Sequence, residues 1–153
     1  MDFNRWLYKV GELMVSVAFV CVQNSCRSQM AEAWGKELGK EILSVTSAGT
    51  HDYHEIKPLA VEVLNEVGLD TSTQYPKMLK DITSRDILIT MGCGAECPRI
   101  PNYYREDWGL DDPSGGPIEG YRITRDLIKA KVLELISRVE SGDLTFIKLK
   151  KEK

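Results

Sequence analysis

The stretch VSVAFVC, residues 15–21, is a near-continuous apolar run rich in valine. A run without polar alternation makes a strand that is buried on both faces, which belongs in the middle of a parallel sheet covered by helices. The rest of the chain alternates accordingly. SQMAEAWGKELGK (28–40) reads as a helix with Ser28 as its cap, Met30, Ala33, Trp34 and Leu38 on one face, and Gly39 as its stop. ILSVTSAG (42–49) reads as a second strand. KPLAVEVLNEVGLD (57–70) reads as a helix with Pro58 in its first turn and Leu59, Val63, Leu64 and Val67 on its buried face. RDILITMGC (85–93) predicts another strand, and EDWGL (106–110) a short one. The longest helical pattern is 117–142, with Tyr121, Leu127, Ile128, Leu135, Ile136 and Val139 in its stripe. Strands alternating with helices predict βαβ units and one α/β domain.

Composition narrows the function classes. With 153 residues, 42% hydrophobic and 28% charged, the chain has enough material for one core without covalent staples. A formal net charge of -3 gives no general basis for binding nucleic acid or a membrane surface. No apolar run reaches the ~18 residues of a membrane span, and LMVSVAFVCV leads into a cysteine loop rather than a small-residue cleavage site. These features predict a cytoplasmic protein. There, four cysteines at 21, 26, 93 and 97 point to catalysis, redox chemistry or metal binding rather than structural disulfides. The expected division is an extension over 1–13, the domain over 14–142, and a solvated basic tail over 143–153. The extension, MDFNRWLYKVGEL, is either an added surface helix or a poorly ordered segment, and Met14 could serve as a start immediately before the first strand.

The loop between the first strand and the first helix carries the chemistry. Ligands of open α/β sheets bind beyond the carboxyl ends of the strands, where the next helix offers unpaired amides and a positive dipole end. Cys21 falls at that edge. Val22, Gln23, Asn24, Ser25 and Cys26 follow, and their backbone amides can turn inward as an anion nest. Arg27 supplies a planar fork for a tetrahedral oxyanion. The same cationic surroundings favour a thiolate at Cys21 and make it a nucleophile, with Ser28 placed to donate a hydrogen bond to the sulfur. Asn24 tolerates unusual backbone angles and can brace the turn through its amide. A lone cysteine at a strand end is ordinarily a small buried hydrophobe, which is the reading for Cys26. For Cys21 the coincidence of strand, loop, arginine, serine and helix outweighs it.

At these residues the sequence resembles a family. FVCVQNSCRSQMAEAWGKELG is similar to the anion loop and first helix of arsenate reductases built on the low-molecular-weight protein tyrosine phosphatase fold. The resemblance continues through SVTSAGT, DILITMGCGAECP and YYREDWGLDDPSG, and covers about residues 15–140. It implies a four-stranded parallel sheet with helices on both faces, Cys21 as nucleophile, Arg27 as oxyanion ligand and Asp112 as general acid. An acid is also required chemically, because displacing oxygen from a tetrahedral oxyanion needs a proton for the leaving group. Asp111 competes for that role, and LDDPSGGP read alone is a polar turn.

Cys93 and Cys97 separate the two enzymes that share such a fold. A phosphatase needs the nucleophile, arginine and acid; a reductase must also pass two electrons to the oxyanion and discard a disulfide. Cys93 follows a strand ending at the same sheet edge as Cys21, between Gly92 and Gly94. The spacing to Cys97 permits the Cα separation of about 4.4 to 6.8 Å that a disulfide needs. A zinc site and a pair of inert thiols are the alternatives, the first weakened because Cys21 and Cys26 lie in a loop committed to an anion. Several positions depart from the family patterns. Gln23 stands where phosphatases and many reductases carry glycine, and the two later cysteines are closer together than in thioredoxin-coupled reductases. Some relatives with a short-spaced MGCG motif instead use a small thiol and a glutaredoxin-like partner. Tyr53 falls where phosphatases place an aromatic wall, yet Ser114 replaces the tyrosine that follows their Asp-Pro. His51 and His54 read as polar loop residues. The resemblance thus implies reduction of arsenate to arsenite through a cysteine relay, with aryl-phosphate hydrolysis as the alternative and a non-catalytic oxyanion-binding module as a third. It further implies an external thioredoxin- or glutaredoxin-like reductant and no tightly bound cofactor; the charge, the length of the apolar runs and the cysteine loop lead to the expectation of no nucleic-acid or membrane partner and no metal.

Overall fold

A computed structural model describes residues 14–82, 85–92 and 102–142. Its centre is a parallel sheet of β1 (Val15–Cys21), β2 (Leu43–Gly49), β3 (Arg85–Thr90) and β4 (Asn102–Asp107), in the spatial order β2-β1-β3-β4. Among the described residues the α-helices are α1 (Arg27–Leu38), α2 (Pro58–Glu66) and α3 (Ile118–Ser141), and a 3-10 helix spans Leu79–Asp81. β1 is central, paired with β2 from Val15 opposite Leu43 to Cys21 opposite Gly49, and with β3 from Val17 opposite Ile87 to Val20 opposite Thr90. This register brings Cys21, Gly49, Thr90 and Asp107 to one sheet edge.

The unbroken apolar character of β1 has the expected physical cause. Val17, Phe19 and Cys21 face a core shared with Met30 and Trp34 of α1, Val63 and Leu64 of α2, and Ile128, Val132 and Leu135 of α3. Ala18 and Val20 face the other way, with Ala48 and Leu88, beneath Leu79 of the 3-10 helix and Ile82. Among the described residues, helices therefore cover both faces: three α-helices on one and a 3-10 helix on the other. The Trp34 indole donates to the Arg125 carbonyl at 3.1 Å, and the Phe19 and Trp108 rings lie 5.5 Å apart, tying α1 to α3 and β1 to the end of β4.

The structure shifts several expected boundaries. β3 stops at Thr90 rather than 93, because Gly92 has φ +102, outside the strand region. β4 begins at Asn102 instead of Glu106; its pairing ends with Trp108 N–H donating to Thr90 O at 2.8 Å, and Gly109, φ +58, turns the chain away. Leu127 faces solvent at 51% exposure, and its expected place in the stripe is taken by Thr124 and Val132. Val67 lies at the end of α2 and is 42% exposed, while Ala60 packs inward. Ser28 does not cap α1; Cys26 holds the cap position without a side-chain hydrogen bond. Among the described residues no helix is long and apolar enough to cross a membrane. The segments 1–13 and 143–153, and the cysteines at 93 and 97, lie outside the described residues.

Candidate active site

The loop after β1 is shaped from below by Gly49. A Cβ there would stand 2.7 Å from the Gln23 carbonyl carbon and 2.8 Å from Asn24 N and Val22 O, so any side chain would displace the loop. Backbone bonds then pin it to the strand below: Thr50 N–H donates to Cys21 O at 3.2 Å, and His51 N–H to Val22 O at 2.8 Å. On the other side Lys57 N–H donates to Ser25 O at 2.8 Å. Asn24 makes the turn with φ +54, a conformation asparagine tolerates better than most residues. Gly49 is a site determinant that the sequence reading passed over, because its closeness to the loop follows from the pairing of β1 with β2.

A chain of hydrogen bonds leads from the Lys77 amide to Cys21. The Lys77 backbone N–H can only donate, and it donates to Asn24 Oδ1 at 2.8 Å. Gln29 Nε2 donates to the same oxygen at 2.9 Å. The other end of the Asn24 amide must therefore be the Nδ2 donor, which reaches Ser28 Oγ at 2.7 Å. Ser28 accepts that bond, so its own proton is free to point at Cys21 Sγ, 2.8 Å away. Ser28 thus serves the sulfur instead of the helix end, leaving the first amides of α1 for a ligand.

Arg27, the first residue of α1, is buried at 8% exposure. Its Nη1 donates to Met91 O at 2.5 Å and to Leu110 O at 2.7 Å, which aims the rest of the guanidinium. Its Nη2 stands 3.8 Å from Asp112 Oδ2. The pocket between them, of about 240 Å³, is lined by Cys21, Val22, Gln23, Ser25, Cys26, Arg27, Asp112 and Ser114. Asp112 Oδ1 accepts the Ser114 N–H at 3.0 Å, which holds its carboxylate at the mouth. Asp111 does not line the pocket. Burial, then the negative charges of Asp112 and Cys21, push the Cys26 thiol up to about 12, so it stays neutral.

The structure thus brings together Cys21, the loop residues, Arg27 and Asp112. Tyr53 stands outside the lining, its hydroxyl accepting from Lys57 Nζ at 3.0 Å and its ring 4.6 Å from that of His54. His51 Nδ1 meets Thr50 Oγ1 at 2.9 Å on the surface. Among the described residues no group of three or more His, Cys, Asp or Glu side chains is arranged to hold a metal ion. Chemically, the pocket offers a sulfur nucleophile, a cationic fork, helix amides and a carboxyl group around a volume suited to a tetrahedral oxyanion.

Comparison with known proteins agrees with this chemistry. A family described as low molecular weight phosphotyrosine protein phosphatase matches residues 16–144. A glutaredoxin arsenate reductase of Synechocystis is 37% identical over 131 residues, covering 82% of this chain and 99% of the relative. The solved structure of an arsenate reductase in the phosphate binding state matches with a TM-score of 0.74 at 37% identity, over 82% of this chain and 98% of the other. That of a thioredoxin-dependent arsenate reductase of Corynebacterium glutamicum matches with a TM-score of 0.71 at 30% identity, over 91% of this chain and 70% of the other. With one strand–loop–helix unit holding a cysteine, an arginine and an oxyanion-sized pocket, and likeness running along nearly all of the domain, the chain belongs to the low molecular weight phosphotyrosine protein phosphatase family.

Proposed function

We propose that the protein is an arsenate reductase that converts arsenate to arsenite through a thiolate at Cys21 and a cysteine relay. The observation that carries this reading over hydrolysis is 37% identity to an arsenate reductase across 99% of that relative's length. The pocket agrees: among the described residues its lining is small or polar, with no aromatic side chain. In the first step the Cys21 sulfur attacks arsenic, an S–As bond forms, and an oxygen leaves as water with a proton from Asp112. Arg27 and the α1 amides balance the oxyanion charge. Cys93 then attacks the Cys21 sulfur. An S–S bond forms, the S–As bond breaks, and its electron pair stays on arsenic, so arsenic(V) becomes arsenic(III) as two thiols become one disulfide. Cys97 attacks Cys93, which frees Cys21 and leaves a Cys93–Cys97 disulfide for an external thiol. The dependence of the Synechocystis and Corynebacterium relatives on glutaredoxin and thioredoxin supports a reductant of that kind. The deciding experiment compares arsenate-dependent loss of protein thiols with hydrolysis of an aryl phosphate. Reductase activity requires the first; hydrolysis that far outruns it returns the protein to the phosphatase reading.

A further inference from the structure

Asp107 closes β4 outside the pocket, and its side chain is committed elsewhere. One oxygen, Oδ1, accepts the Thr90 hydroxyl at 2.6 Å and the Gly92 N–H at 2.7 Å. Between those residues, Met91 gives its carbonyl to Arg27 Nη1 at 2.5 Å, while its N–H donates to Val20 O at 3.0 Å. Thr90, which ends β3, and the two residues after it are therefore held from two sides, by the last residue of β4 and the first of α1. Gly92 needs this help, because it leaves the strand at φ +102 with its amide no longer in the ladder. A carboxylate makes a stronger acceptor for that amide than a neutral group would. The next residue in the chain is Cys93.

We propose that Asp107 is a positioning residue for the disulfide step. By holding the Gly92 amide it fixes the residue that directly precedes Cys93 in the chain. The proposal rests on the reductase reading, and it separates the two chemical steps. Formation of the S–As bond uses groups that Asp107 does not touch. Formation of the S–S bond, with transfer of the S–As electron pair to arsenic, depends on the direction of approach of Cys93.

The test uses the full chain carrying Cys97→Ser, mixed with arsenate and quenched at intervals, with the Cys21–Cys93 disulfide quantified by mass spectrometry. Adding Asp107→Ala is expected to slow disulfide formation by roughly tenfold while phosphate affinity stays within about twofold. Asp107→Asn keeps a carbonyl acceptor and is expected to recover most of the rate. Amide exchange at Gly92 should quicken in the alanine variant, a change that a general loss of stability would spread over the whole sheet. An unchanged or faster disulfide rate with alanine overturns the proposal. So does an asparagine variant as slow as alanine, or an equal loss of phosphate affinity and disulfide rate. If the Cys97→Ser protein with Asp107 intact forms no Cys21–Cys93 disulfide, the reductase reading itself falls and takes the proposal with it; a normal rate with intact Asp107 and the same rate with alanine removes the proposal alone.

Discussion

Nη2 of Arg27 stands 3.8 Å from Oδ2 of Asp112, while Nη1 of the same arginine is bonded to the carbonyls of Met91 and Leu110. One side chain thus binds two loops together and keeps its remaining N–H groups for the pocket. Lysine can carry the charge but cannot make both sets of contacts. Arg27→Lys is therefore expected to weaken phosphate binding by about tenfold or more and to slow arsenate-dependent thiol loss at least as much. Titration calorimetry with phosphate checks the first effect. Parental affinity with lysine would show that the fork plays no part in holding the oxyanion.

The placement of Asp112 separates it from its neighbour. It lines the pocket and is braced by the Ser114 amide at 3.0 Å, whereas Asp111 is not in the lining. Asp112→Asn should slow formation of the Cys21–arsenate adduct at neutral pH by roughly 100-fold, the usual range for removing a general acid, with a much smaller effect from Asp111→Asn. Rapid-quench mass spectrometry reads both rates. A larger loss from Asp111→Asn would exchange the two assignments.

Much of this could be read from residue order because the unit is local. Cys21, Arg27 and Ser28 lie within eight residues that pass from a strand buried on both faces to a helix, and the register of that unit follows from the apolar run alone. What stayed hidden involves contacts across long sequence distances. The contact of Ser28 with the Cys21 sulfur was legible, but its reading as a helix cap fails because Asn24, which bonds the same hydroxyl, is itself oriented by the amide of Lys77, 53 residues from Asn24. The close approach of Gly49 to the loop depends on the pairing of β1 with β2. The start of β4 was misplaced because EDWGL contains the strand's end and its exit turn, whereas the ladder itself runs back to Asn102. Leu127 looks like a core residue in a helix pattern, but the surface of α3 that meets α1 and α2 is centred elsewhere.

Gly49 carries a prediction of its own. An added methyl group would meet backbone atoms of Val22, Gln23 and Asn24, which cannot rotate away as a flexible side chain would. Gly49→Ala should therefore cost about 1 to 3 kcal/mol of stability, as overpacking commonly does, and weaken phosphate binding by distorting the amide nest. Urea unfolding and calorimetry measure the two effects. Full stability together with parental affinity would mean that the loop has room the structure does not show.

The buried thiol of Cys26 predicts a pH dependence. Its value rises from 9.0 to about 12 in the folded protein, through burial first and then the charges of Asp112 and Cys21. A raised value means that the folded state holds the proton more tightly. The resulting stability is fully present below about pH 9 and is lost as pH climbs toward 12. Over that window the parent should lose on the order of 1 kcal/mol per pH unit more than Cys26→Ala. Urea midpoints taken at pH 8, 10 and 11 give the comparison, since every other titrating group is common to both proteins. Parallel slopes would mean that Cys26 ionises as readily folded as unfolded.

The relay gives the most demanding prediction, because Cys93 and Cys97 must take different parts in it. If Cys97 resolves the disulfide made by Cys93, Cys97→Ser should stop after one turnover with Cys21 and Cys93 joined, visible as a cross-linked peptide. Cys93→Ser should accumulate neither that disulfide nor any other by this route. The reason is order: Cys93 needs only the arsenic adduct of Cys21 as its target, while Cys97 has no target until the first disulfide exists. A reducing agent should return the trapped Cys97 variant to one further turnover, releasing about one equivalent of arsenite each time, as the two-electron balance of one disulfide requires. Normal turnover of both variants with thioredoxin would rule out the relay. Normal turnover of Cys97→Ser with a small thiol and glutaredoxin would keep Cys21 and arsenate reduction, and would move the resolving thiol from this chain to the reductant.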